Sequence, residues 1–138
     1  MLERIRADHA APPDIVIGSR YVSGGGTVGW PCYRRWMSRG INTFARLMLG
    51  LPVRDCSGAF RCIRVNLLQR VDLTLIRSHG YACLEEILWR FKQAGARFEE
   101  IPILFANRQR GKSKINTRES LAALGMLFRL GLRNWFRI

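Results

Sequence analysis

The run Asp14-Ile15-Val16-Ile17-Gly18 constrains this chain most, because β-branched residues bounded by prolines and a glycine read as one short buried strand. Pro12 and Pro13 end what precedes it. Residues 1–11 place Leu2 and Ile5 on one side with charges between them, the pattern of a helix end. Beyond the strand, Ser19-Arg20-Tyr21 leads into a glycine-rich loop, Ser23 to Gly29, whose three consecutive glycines suit neither a helix nor a central strand. The pattern from Tyr33 to Gly50 is helical: Trp36, Ile41, Phe44, Ala45, Leu47 and Met48 broadly share a face, and Gly50 is the expected C-cap. Asp55 to Arg61 reads as a turn entering an edge strand, and Asn66 to Val71 as a short helix. Tyr81 to Ala94 is a helix with Leu84, Ile87, Leu88 and Phe91 at helical spacing. Phe98 to Phe105 is extended, with Pro102 marking an edge or an irregularity. A basic loop, Asn107 to Lys114, precedes a last helix from Thr117. Strands alternating with helices predict a single α/β layered unit, and 138 residues suffice to bury one core.

Charge narrows the partners. Twenty-three Lys and Arg against ten Asp and Glu leave +13, so the chain should seek anions: nucleic acid, acidic headgroups or phosphorylated small molecules. Nucleic acid is disfavoured because aromatics are not interleaved with the cationic runs and no recognition motif accompanies them. The four cysteines, Cys32, Cys56, Cys62 and Cys83, form no CxxC pair and lack histidines at ligand spacing, which argues against zinc. With no leader segment visible, reduced thiols in a cytoplasmic setting are expected. No stretch reaches the roughly 18 to 20 apolar residues that span a bilayer.

Three clusters place arginine beside glycine or hydroxyl groups in loops or at a helix start. In Gly18-Ser19-Arg20-Tyr21 a strand end delivers an arginine, whose fork suits phosphate, although a surface arginine after a strand is the favoured reading of this cluster alone. In Arg34-Arg35-Trp36-Met37-Ser38-Arg39-Gly40, Arg34 and Ser38 share a face near a helix N-terminus, where backbone N–H groups favour an anion; the plainer reading is a solvated basic face. Asn107 to Lys114 packs four positive charges around Gly111 and Ser113 without Walker A spacing. Among acids, Asp55 lies in a turn beside Ser57 and Gly58. Glu85 and Glu86 begin a helix, where a structural role for one of them is easily explained. His79 before Gly80 reads as a turn residue.

The order of these pieces is more specific than any one of them. Gly18-Ser19-Arg20-Tyr21, the glycine loop, Arg34 with Ser38-Arg39, Asp55-x-Ser57-Gly58-x-Phe60-Arg61, Gly80-Tyr81, Glu86, Ile101-Pro102-Ile103 and Arg108-x-x-Gly111-x-Ser113-Lys114 follow one another. The series resembles the second half of polyprenyl-phosphate (dolichol-phosphate) mannosyl- and glucosyltransferases of the family 2 glycosyltransferases, from about Asp14 to about Arg118. The resemblance implies a partial GT-A fold, a Rossmann-like α/β/α sandwich, over residues 1–118, with residues 119–138 as an added amphipathic helix. It implies transfer of a hexose from GDP-mannose or UDP-glucose to a polyprenyl phosphate with inversion. Carried over by motif, Arg20, Arg34 and Ser38 hold the acceptor phosphate, Arg108 and Lys114 sit on the loop that closes over the donor diphosphate, and Asp55 and Glu86 line the sugar pocket. It also implies Mg²⁺ or Mn²⁺ held by a DxD motif, and no DxD occurs in this sequence. The expectation is therefore a chain without the nucleotide and metal half, inactive alone and in need of a partner chain, or else a non-catalytic basic module for anionic lipid.

In the last helix, Leu121, Leu124, Phe128, Leu132 and Trp135 cluster on one face beside Arg129, Arg133 and Arg137, with Met126 and Leu130 intruding on the polar side. This predicts either a helix packed on the domain or one lying peripherally at the cytoplasmic membrane face.

Overall fold

Ile15, Val16 and Ile17 are completely buried, and their strand β1 (Ile15–Ser19) forms the middle of a three-stranded sheet. A computed structural model describes residues 1–6, 12–106 and 117–136. On one side of β1 lies β3 (Arg61–Ile63), antiparallel, with Ile15 opposite Ile63. On the other lies β4 (Phe98–Pro102), parallel, running from Ile15 opposite Phe98 to Ser19 opposite Pro102. Pro102, which cannot donate to a ladder, thus ends an outer strand, as its chemistry demands.

The glycine-rich loop holds a strand that the sequence reading did not place. Residues Gly26–Val28 form β2, paired parallel with β5 (Leu104–Ala106) in a two-stranded sheet. Glycine is tolerated there because the pair is an edge structure rather than a packed centre. Ile103 joins the two sheets: its N–H donates to Ser19 O at 3.0 Å and its carbonyl accepts from Gly26 N at 3.0 Å. The crossing is tight enough that a Cβ on Gly25 would lie 2.5 Å from Ser19 O.

Three longer helices complete the core beside the larger sheet, the last of them packed on the other two. They are α2 (Cys32–Leu49), α4 (Tyr81–Gln93) and α5 (Thr117–Phe136), with short α1 (Leu2–Arg6) and α3 (Val65–Arg70) at the margins. Leu49, Leu88 and Phe91 are fully buried with Ile15, Ile17 and Leu67 in one core. At about 25 cal/mol per Å² of apolar area removed from water, such side chains supply the main stabilisation. Gly50 closes α2 in the left-handed conformation at φ 59°, and Lys92 Nζ donates to the Leu49 carbonyl at 2.9 Å, satisfying an end group of that helix. On α2 the buried residues are Asn42, Ala45 and Leu49, with Phe44 and Met48 half-buried, whereas Trp36 and Leu47 are exposed.

Of the two placements the sequence left open for the last helix, packed by its apolar stripe or with that stripe facing outward, the structure has the stripe outward. The helix packs on α2 and α4 through Leu127 and Leu130, and Phe128, Leu132, Trp135 and Phe136 remain exposed. Leu130 therefore belongs to the core rather than to a polar side. Asn134 Oδ1 accepts from Trp89 Nε1 at 3.1 Å, and Trp135 Nε1 donates to Met48 O at 3.2 Å. Gly131 permits the approach to α2: a Cβ there would stand 3.0 Å from Met48 Sδ and 3.1 Å from Met48 Cβ. Gly131→Leu should therefore lower stability by about 1–3 kcal/mol through overpacking; an unchanged urea midpoint would contradict this packing. No helix among the described residues is long and apolar enough to cross a membrane.

Candidate functional site

The turn after α2 is built around a buried carboxylate. Asp55 is fully buried and receives Arg20 three times: the backbone N–H at 3.0 Å, Nε at 2.7 Å and Nη2 at 2.7 Å. Arg20 Nη2 also donates to Ser57 Oγ at 2.9 Å. Burial works against the Arg20 charge, but its bond to Asp55 holds the guanidinium above its ordinary value. The turn's own N–H groups are spoken for. Asn42 Oδ1 accepts from Cys56 N at 2.7 Å and Ser57 N at 3.1 Å, and Glu100 Oε1 accepts from Asp55 N at 3.0 Å. Asn42 Nδ2 donates to Ser57 Oγ and to the Ser38 carbonyl, so one amide fastens the turn to α2. Gly58 fits because a Cβ there would come within 3.1 Å of Asp55 Oδ1.

Beside this turn, β2 and the start of α2 enclose a cleft of about 240 Å³ lined in part by Arg20, Tyr21, Thr27, Trp30, Arg35 and Arg39. Aromatic rings organise its cations. Arg20 Cζ lies 5.2 Å from the Tyr21 ring centroid, 5.5 Å from Trp30 and 5.8 Å from Phe105. Arg34 Cζ is 4.1 Å from Trp30. Tyr21 and Ser38 share a hydroxyl–hydroxyl hydrogen bond of 2.6 Å. Among the described residues no carboxylate pairs with Arg34, Arg35 or Arg39. Helix α2 starts at Pro31 with no side-chain cap, leaving its first N–H groups without a side-chain acceptor. Trp30 Nε1 is likewise buried without a partner.

The two glutamates lie in the second turn of α4 (Tyr81–Gln93) rather than beginning the helix, and they differ. Glu86 Oε2 accepts from the N–H groups of Arg77 and Ser78 and from Ser78 Oγ, and Glu86 Oε1 binds Arg90 Nη2 at 2.7 Å. Burial raises its pKa, but the Ser78 and Arg90 bonds outweigh that and hold it below the ordinary range. Glu86 thus pins the loop before the helix. Glu85 is also buried, yet its Oε2 has no partner, and desolvation pushes its pKa to about 7. Arg61 lies in its field: Nη1 donates to Leu84 O at 2.9 Å and Nη2 to Cys56 O at 2.6 Å, but Nε is buried and unpaired. Cys56 is buried, and desolvation first, then the nearby carboxylates, pushes its thiol to about 12, so it is no nucleophile.

The structure thus brings Arg20, Asp55, Ser38 and Arg34 into one neighbourhood with Tyr21, Arg35 and Arg39, which the sequence clusters named without a role, and adds Trp30 and Asn42, which the sequence reading missed. A signal for Arg35 and Arg39 was present, since they repeat the four-residue spacing of Arg34 and Ser38 one step along. Asp55 and Arg20 are spent largely on each other, and both Glu86 oxygens on internal partners. Arg108 and Lys114 lie outside the described residues. No group of three His, Cys, Asp or Glu side chains among the described residues could hold a metal ion, so these residues do not fit a divalent cation.

Fold and cleft define a mixed α/β protein with small sheets, presenting arginines between a glycine loop and a helix start. No family model matches the chain. It is 37% identical over 114 residues to polyprenol monophosphomannose synthase of Mycolicibacterium smegmatis, covering 80% of this chain and 43% of that protein. It is 37% identical over 145 residues to undecaprenyl-phosphate mannosyltransferase of Micrococcus luteus, covering 96% and 58%. The sequence matches a polyprenyl-phosphate mannosyltransferase-like family, and the chain spans about half the length of these curated relatives.

Proposed function

We propose that this chain carries the acceptor-binding elements of a GT-A glycosyltransferase that moves a hexose, mannose, from a nucleotide sugar to a polyprenyl phosphate. The observation that carries this reading is the cleft at the start of α2. Arg35 and Arg39, without carboxylate partners among the described residues, line it beside Trp30, whose ring carries Arg34, and α2 starts there without a side-chain cap, which suits a phosphate monoester. Names of both relatives include a polyprenyl-type phosphate or phosphomannose, in line with that acceptor.

The chemistry suits the groups present. A phosphate monoester has its second pKa near 6 and is largely ionised at neutral pH, so it attacks without a strong general base. This agrees with the engagement of Asp55 and Glu86 in internal bonds. The demanding tasks are orienting two anions and neutralising the departing diphosphate. Arg34 and Ser38 serve the acceptor, the Asp55–Arg20 pair shapes the wall behind it, and Arg108 with Lys114 serve the donor diphosphate of GDP-mannose or UDP-glucose.

A membrane surface completes the reading, because the acceptor tail needs an apolar place. Tyr33, Trp36 and Met37 on α2 and Phe128, Leu132 and Trp135 on α5 are exposed aromatic and aliphatic groups, accompanied by exposed Arg35, Arg39 and Arg129. In a protein joining this sequence to a donor-binding half, Arg34→Ala with Ser38→Ala should raise the acceptor KM by about tenfold or more while leaving the donor KM within about twofold. Acceptor kinetics equal to the parent would sink the assignment of this pair.

A further inference from the structure

We propose that Trp30, which lines the cleft, is a positioning residue for the acceptor phosphate, acting as a ledge that holds the Arg34 guanidinium beside it. The inference rests on the acceptor reading above and deepens it. Trp30 is only 9% exposed and stands just before α2. Phe105 of β5 abuts it edge-on, with centroids 5.7 Å apart and planes at 77°. The β2–β5 pairing, with Thr27 opposite Phe105, therefore fixes the ring from the glycine-loop side. Arg34 then lies on that ring at 4.1 Å, closer than any other cation–aromatic approach among the described residues.

The manner of holding matters. A carboxylate partner orients an arginine by consuming its N–H donors and cancelling its charge, which is what Asp55 does to Arg20. An aromatic face orients the guanidinium through its π-cloud and leaves the in-plane N–H donors unspent. Two guanidiniums near one indole would repel, but the Asp55 pairing neutralises Arg20, so Trp30 carries Arg34 as the net charge. Of the two arginines on this indole, one is used for structure and one is kept ready for an anion.

A double-substitution cycle on the chain tests this, with farnesyl phosphate as probe and its dissociation constant read by calorimetry. Trp30→Leu should weaken binding about tenfold when Arg34 is present, equivalent to about 1.4 kcal/mol. It should change binding less than about twofold in an Arg34→Ala background, because a residue that acts through Arg34 has nothing left to position. Trp30→Phe, which keeps a ring face and perturbs folding less, should retain most of the affinity. Equal losses from Trp30→Leu in both backgrounds, or none in either, would overturn the proposal. A parent chain that fails to bind farnesyl phosphate would instead count against the acceptor reading. The ledge is then judged by the Arg34 Nε–H resonance in ¹⁵N NMR. An upfield ring-current displacement that Trp30→Leu abolishes and Trp30→Phe keeps supports it, and an undisplaced resonance in the parent refutes it.

Discussion

Asp55→Ala should destabilise the fold by about 3–5 kcal/mol, the cost of stranding a buried charge whose partner has been removed. Asp55 is completely buried, and the Arg20 side chain is 9% exposed, so water cannot readily replace the carboxylate. Three donors of Arg20 lose their acceptor at once, and among the described residues Ser57 Oγ remains to it. The turn that Asn42 fastens to α2 would lose its tie to Arg20 while keeping the backbone bond to Glu100. Urea unfolding of parent and variant measures the effect. Replacing both partners by apolar residues, Arg20→Met with Asp55→Leu, should recover most of the loss, since no lone charge is then buried. A single variant within about 1 kcal/mol of the parent would show that the pair is solvated in solution and that the wall of the cleft is not built as described.

Glu85 should make stability fall as pH rises from about 4.5 to about 7. In the folded chain its carboxyl keeps the proton up to about 7, against an ordinary value of 4.5. Between those values the native state holds a proton that the unfolded chain has released, so raising pH favours unfolding across that window and has no further effect through this group above it. The full span amounts to about 3 kcal/mol. Glu85→Gln removes the titration: the variant should be more stable than the parent at pH 8 by roughly 2–3 kcal/mol and nearly equal to it near pH 4.5. Glu86 acts in the opposite sense and in a lower window. Its folded pKa is depressed, so its stabilisation is present above the unfolded value and is lost as pH falls through the folded one. Parallel stability profiles for parent and Glu85→Gln would refute the assignment.

Local pattern was enough for much of the fold. The β-branched run became β1, Gly50 capped α2, and Leu88 and Phe91 faced the core of α4. What was hidden depended on distant partners. Strand β2 lies within glycines and exists because Leu104–Ala106 comes alongside it from far along the chain. On α5, periodicity favoured the stripe containing Phe128, Leu132 and Trp135, whereas the structure buries Leu127 and Leu130, because α2 and α4 present their surfaces there and Gly131 admits Met48. The site was legible as a set of residues but not as a circuit. Arg20 and Asp55 had both been read as groups facing ligand, and nothing in a sequence says that charges 35 positions apart will satisfy each other. Trp30 offered no periodic signal at all, since its position lies between elements.

The most direct test of the acceptor reading is titration of the chain with undecaprenyl phosphate and with undecaprenol in detergent micelles, followed by intrinsic tryptophan fluorescence. The proposed function predicts a saturable response to the phosphate that weakens as salt is raised and is at least about tenfold tighter than any response to the alcohol. Equal responses to the two lipids would show that the arginine cleft does not read the phosphate, and would contradict the proposed function.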